Sequence, residues 1–358
     1  MPRIRGQRGR RAAFGVAAAV LAGAVAGCDG PPAEQPRRPP DASGAPTSPD
    51  LRTGLAGTWR LVRVERRDQN GNPLPEFVHR GIGTGPAVGY LLYDGEHFGR
   101  VVQREATETQ AANSGPVAPL AALARYTADF GRFAVDEQAG HLTHRIAGSL
   151  DPRLPGTETL LRYELVEDRL VLMPPLRCPD SFVTDRGCGY GTTGLQLRYV
   201  WERLEPAAGA GDSARPLLGF WAIDRIERRT DDGDALTADQ YAAGYLMYMP
   251  SGQMAVQLMR ADRPPYAGSS PTPSEAEVAV RGYVSYFGPF RVREEENVVV
   301  HERIGHLDAR SVGTEARRAF TWRGGQLLLE PPSATVGGEA VRTTVFWNRL
   351  GPPRESAP

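Results

Sequence analysis

Apolar residues recur along the second half of this chain in short alternating or β-branched runs. They occupy residues 219–228, 243–249, 253–260, 288–294, 298–306, 315–323, 326–330 and 341–350. Asp232-Gly233, Pro250-Ser251-Gly252 and Gly324-Gly325 punctuate them. Short runs of this composition between turn residues predict strands. One segment has helical spacing instead. Thr272-Pro273-Ser274-Glu275 reads as a capping box with proline at the first helical position. Val280, Tyr283, Val284 and Phe287 then fall at i, i+3, i+4 and i+7, one apolar stripe of a helix.

The same pattern occurs earlier in the chain. Gly57-Thr58-Trp59 is answered by Gly219-Phe220-Trp221, and Gly89-Tyr90-Leu91-Leu92-Tyr93 by Gly244-Tyr245-Leu246-Met247-Tyr248. Tyr126, Phe130, Gly131 and Phe133 precede Tyr283, Phe287, Gly288 and Phe290 by 157 residues, and His144 precedes His301 by the same offset. The copies close on Trp201-Glu202-Arg203-Leu204 and Trp347-Asn348-Arg349-Leu350, where the offset has fallen to 146. Matches in one order over that length indicate a tandem duplication of a whole domain. The first copy carries 11 extra residues before its closing strand. Its helical stripe is Leu123, Tyr126 and Phe130.

Eight strands joined mostly by short turns, with one helix, predict an up-and-down antiparallel barrel in each copy, with a β-sandwich as the alternative. The expected organisation is 1–27 signal segment, 28–54 proline-rich tether, 55–205 first domain, 206–216 linker, 217–351 second domain and 352–358 tail.

The first 28 residues change the picture. Arg3, Arg5, Arg8, Arg10 and Arg11 precede a small-residue apolar run from Ala12 to Ala26, and Val25-Ala26-Gly27-Cys28 follows. This is the layout of a secretory signal, with a core too short for a membrane span. Its ending resembles the bacterial lipobox, which makes Cys28 the expected lipidation site and the membrane a partner. Asp29 resembles a signal for retention in the inner membrane. Export favours a disulfide between Cys178 and Cys188, which lie within the insertion peculiar to the first copy. The whole chain has 42 basic and 42 acidic residues, and without the five leading arginines 37 oppose 42. That balance does not favour a nucleic-acid partner, which wants a basic face.

The opening Gly-x-Trp, the Gly-Tyr-Leu-x-Tyr strand, the segment from Gly252 to Arg260, the Tyr-Phe-Gly ending of the helix, His301 and Gly313-Thr314 together resemble the bacterial and fungal lipocalin-like domain. The resemblance covers roughly 55–205 and 217–350, and the second copy is the closer match. It implies all-β architecture, two tandem eight-stranded antiparallel lipocalin-like β-barrels, each with one α-helix and an interior able to hold a small apolar ligand.

The duplicated His144 and His301 are the sharpest candidates for that interior, as polar anchors or as hydrogen-bonded fold residues. Tyr90 and Tyr93, like Tyr245 and Tyr248, sit three apart on a strand, so one of each pair faces inward. Met254 and Arg260 are further candidates for a lining. Trp59 and Trp221 are expected to close the barrel base with Arg203 and Arg349. His141-x-x-His144 and His301-x4-His306 do not share a spacing, so no metal set is predicted. No nucleophile elbow, zinc-protease helix or phosphate loop occurs, and neither a catalytic residue nor a cofactor is expected. The expected function is a membrane-anchored lipoprotein binding a small hydrophobic ligand. A structural or interaction module of the envelope is one alternative, and a cofactor-free isomerase or cyclase acting on a lipid-like substrate is another.

Overall fold

The alternating runs pair with their neighbours as their short turns dictate. The computed structural model describes residues 54–68, 70, 72–73, 87–104, 119–174, 196–207, 213–238 and 240–351. The signal segment, Cys28, Asp29, nearly all of the tether, the Cys178/Cys188 loop and the C-terminal tail lie outside the described residues.

The first domain has β1 (Gly57–Arg67), β2 (Ala87–Tyr93), β3 (His97–Arg104), α1 (Pro119–Arg125), β4 (Tyr126–Asp136), β5 (His141–Ser149), β6 (Glu158–Val166), β7 (Arg169–Met173) and β8 (Gln196–Leu204). Each strand pairs antiparallel with the next, and β8 returns to β1, closing an eight-stranded barrel. The second has β9 (Gly219–Thr230), β10 (Ala235–Leu236), β11 (Tyr241–Tyr248), β12 (Gln253–Arg260), α2 (Pro273–Arg281), β13 (Tyr283–Arg293), β14 (Val298–Glu302), β15 (Gly305–His306), β16 (Glu315–Arg323), β17 (Gln326–Glu330), β18 (Ala334–Val336) and β19 (Glu339–Arg349). Its barrel runs β9-β11-β12-β13-β14-β16-β17-β19 and closes through β19 on β9. Closure in both copies removes the β-sandwich alternative.

Each barrel has its own interior core. Trp59, Leu91, Tyr93, Phe98, Phe133, Leu142 and Trp201 pack inside barrel 1; Trp221, Leu246, Tyr248, Met254, Tyr286, Val299 and Trp347 pack inside barrel 2. A third core lies between the barrels. There the duplication shows as a local two-fold arrangement. Phe130 meets Tyr245 with ring centroids 4.6 Å apart, and the equivalent Phe287 meets Tyr90 at 5.6 Å. Helices α1 and α2 touch one another. Buried polar groups pair within this seam: Tyr126 Oη lies 2.9 Å from Ser285 Oγ, Tyr283 Oη donates to Gln257 Oε1 at 2.7 Å, and Gln257 Nε2 donates to the Asp129 carbonyl at 3.1 Å.

The predicted helices end earlier than their apolar stripes. The capping box at Thr272 forms as expected, but α2 stops at Arg281 with Gly282 as its C-cap. Tyr283 to Phe287 belong to β13, and in the first copy Tyr126 and Phe130 belong to β4. The cause is burial on both faces of the strand. Tyr283 and Phe287 face the other barrel while Tyr286 faces its own interior. A strand buried on both sides shows no clean alternation, and its apolar run then satisfies helical spacing.

Candidate functional site

One end of each barrel is shut in the same way. Trp59 Nε1 donates to the Leu55 carbonyl at 2.8 Å, and the Arg203 guanidinium lies 4.2 Å from the Trp59 ring. Arg203 Nη1 donates to the Ala56 carbonyl at 2.7 Å. In barrel 2, Trp221 Nε1 donates to the Leu217 carbonyl at 2.8 Å, and Arg349 lies 4.1 Å over Trp221 while donating to the Leu218 carbonyl at 2.7 Å. Each indole thus has its N–H satisfied and its face covered by a cation, which fastens the first strand to the last.

Above this clasp sits the duplicated histidine. His144 and His301 are 2% and 1% exposed. Tyr93 Oη lies 2.7 Å from His144 Nε2, and Phe98 stacks on the imidazole at 3.8 Å between centroids. Tyr248 Oη lies 2.7 Å from His301 Nε2, and Tyr286 Oη lies 2.9 Å from His301 Nδ1. A neutral imidazole donates from one nitrogen and accepts at the other, so His301 sits in a Tyr–His–Tyr chain with both nitrogens satisfied. Burial pushes the pKa of both histidines well below its ordinary value, helped by the charge of Arg100 at His144 and of Arg318 and Arg303 at His301. Burial likewise raises Tyr93 and Tyr248 well above the usual phenol range.

Strand parity places the other candidates. Tyr93 and Tyr248 face the interiors, whereas Tyr90 and Tyr245 face the seam between the barrels. Met254 is fully buried inside barrel 2, at the register position that Phe98 holds in barrel 1. Arg260 stands at the end of β12, where it pairs with Asp262 at 3.0 Å. The geometry therefore brings Tyr93 to His144, and Tyr248 to His301 in the barrel that also buries Met254; Tyr90, Tyr245 and Arg260 are held elsewhere.

Three inward charges were not among the sequence candidates. Arg100 lies opposite Asp129 in barrel 1 and forms an ion pair with it, where barrel 2 has Val256 opposite Tyr286. Arg318 faces the interior of barrel 2, opposite Val299, where barrel 1 has Leu161 opposite Leu142. A signal for Arg100 was present in the order Phe98-Gly99-Arg100-Val101-Val102, since a strand with Phe98 and Val102 inside must also point Arg100 inside.

Toward the other end the first strand of each barrel parts from the second. β9 pairs with β11 only from Gly219 to Ala222, although β9 continues to Thr230. Among the described residues β1 pairs with β2 only from Gly57 to Arg60, although β1 continues to Arg67. In barrel 2 the wedge between β9, β10 and β11 holds a recess of about 420 Å³, lined by Ile223, Ile226, Leu236 and Tyr241 with Arg228 and other charged residues of β9. A second recess, of about 280 Å³, lies on the outer face of barrel 1 beside Val171 and Val200.

Two closed up-and-down barrels, each with a tryptophan–arginine clasp at one end and a parted seam at the other, define a lipocalin-like architecture. Residues 56–183 and 218–350 match the lipocalin-like domain family, and the chain belongs to that family in two copies. No curated protein matches the chain. The crystal structure of a protein of unknown function from the DUF3598 family of Nostoc punctiforme is 12% identical, over 83% of this chain and 96% of its own, with a TM-score of 0.21. A mutant of the vaccine antigen transferrin binding protein B from Haemophilus parasuis is 8% identical, over 74% of this chain and 61% of its own, with a TM-score of 0.19.

Proposed function

We propose that this chain is an exported lipoprotein, anchored to a bacterial membrane through lipid on Cys28, whose barrels take up a small, mainly apolar molecule. The observation that carries the reading is the recess of about 420 Å³ at the parted seam of barrel 2. Its volume is that of a small-molecule site, and its apolar side chains beside a few charged ones suit an amphiphile. The anchor rests on Val25-Ala26-Gly27-Cys28 and the apolar run before it. Two or three acyl chains there give stable attachment, since each buried methylene contributes about 0.8 kcal/mol.

A fluorescent fatty-acid titration tests the binding. Saturable binding in the micromolar range is expected, weakened about tenfold or more in Ile226→Trp, which fills the recess. A titration without saturation, or one that Ile226→Trp leaves unchanged, contradicts the assignment. Labelling with an alkynyl fatty acid, lost in Cys28→Ser, tests the anchor.

The second reading, an envelope interaction module, draws support from the filled floors of both barrels, where tryptophan, tyrosine and phenylalanine side chains occupy the space above the clasp. An isomerase or cyclase would need a histidine open to substrate, and neither His144 nor His301 lines a recess named above.

A further inference from the structure

The interiors of the two barrels differ in charge, and the inference drawn from this rests on the ligand-binding reading. On β3, Phe98 and Val102 pack inside barrel 1 while Gly99 and Val101 face barrel 2, so Arg100 projects inward. Its side chain nonetheless keeps 25% of its surface accessible, so the guanidinium is not packed dry among its neighbours. Its partner Asp129 is 1% exposed. Arg100 donates to Asp129 Oδ2, while the buried Asp129 Oδ1 has no hydrogen-bond partner. A buried carboxylate oxygen in that state is rare in a folded protein and calls for a donor.

The charge of the pair selects which donor fits. A ligand carboxylate would stand against Asp129, and an ammonium would stand against Arg100. A hydroxyl meets both, donating to Asp129 Oδ1 while accepting from the guanidinium. Barrel 2 presents the opposite case. Arg318 shares the inward face of β16 with Ala316 and Phe320, and its hydrogen bond goes to the Arg317 carbonyl. Among the described residues no carboxylate forms an ion pair with it, and its positive charge is felt at His301 and Tyr248.

We propose that the two barrels sort amphiphiles by head group: barrel 1 takes a neutral alcohol on Asp129 and Arg100, and barrel 2 takes a carboxylate on Arg318. The apolar tail lies among the aliphatic and aromatic side chains of each barrel, and in barrel 2 it extends toward Ile223 and Tyr241, which pack on the interior core and also line the recess beside Ile226.

Native mass spectrometry of the full chain with 1-decanol and with decanoate tests this. One molecule of each is expected to bind. Asp129→Asn leaves Arg100 uncompensated, so decanol binding falls about tenfold or more while a second decanoate is gained, a switch that loss of structure would not produce. The double variant R100V/D129Y, which copies the pair of barrel 2, loses decanol and gains no decanoate. Arg318→Leu loses decanoate and keeps decanol. Decanol binding unchanged in Asp129→Asn, or equal use of both barrels by both probes, overturns the head-group assignment and leaves the ligand-binding reading intact. Failure of both probes to bind overturns both.

Discussion

Burial decides which proton His144 and His301 can carry. Their folded-state pKa lies well below that of a free imidazole, near 6.5, because neither site solvates a cation. The unfolded chain therefore binds more protons than the folded one once the pH drops below about 6.5, and stability falls from there downward. His306, pushed down to about 4 mainly by burial, contributes with the same sign between about 6.5 and 4. Each such histidine costs up to about 1.4 kcal/mol per pH unit in that window. Urea midpoints are expected to be level from pH 8 to 7 and to drop steeply between pH 6.5 and 5. His301→Gln should lower the midpoint at pH 8 and make the drop shallower. A midpoint independent of pH over this range would contradict neutral, sealed imidazoles.

At the scale of elements, the strands were legible because turn residues bracket them. The capping box marked the start of α2, and the arginines two residues after Trp201 and Trp347 marked the clasp. The helix ends were not legible. Tyr126 and Tyr283 lie on strands buried on both faces, which hides the period of two on which a strand assignment depends. The same double burial concealed which tyrosine of each pair points inward, because Tyr90 and Tyr93 are equally apolar in context. It also concealed Arg100 and Asp129. A charged residue on a strand reads as solvent-facing unless its neighbours are known to cover the other side, and here that cover is the second barrel. The histidines were found because the duplication kept them. Arg100, Asp129 and Arg318 were missed because it did not.

For the whole molecule, the duplication has produced two barrels joined through a packed seam. Gly99 is one place where that joint is tight: a Cβ there would run into Met247 Sδ of the other barrel, which would have to give way. Gly99→Leu should therefore push the barrels apart. Overpacking of this kind costs about 1–3 kcal/mol, and calorimetric unfolding should change from one cooperative transition to two, the earlier one lowered by several degrees. One transition at the unaltered temperature would show that the barrels do not stabilise one another through this contact.

That the barrels hold an apolar guest is tested most directly by calorimetric titration of dodecanoate into the chain at several temperatures. Burial of the alkyl tail predicts saturable binding with a heat-capacity change that is clearly negative. Heats that never saturate, or binding with no heat-capacity change, would contradict it.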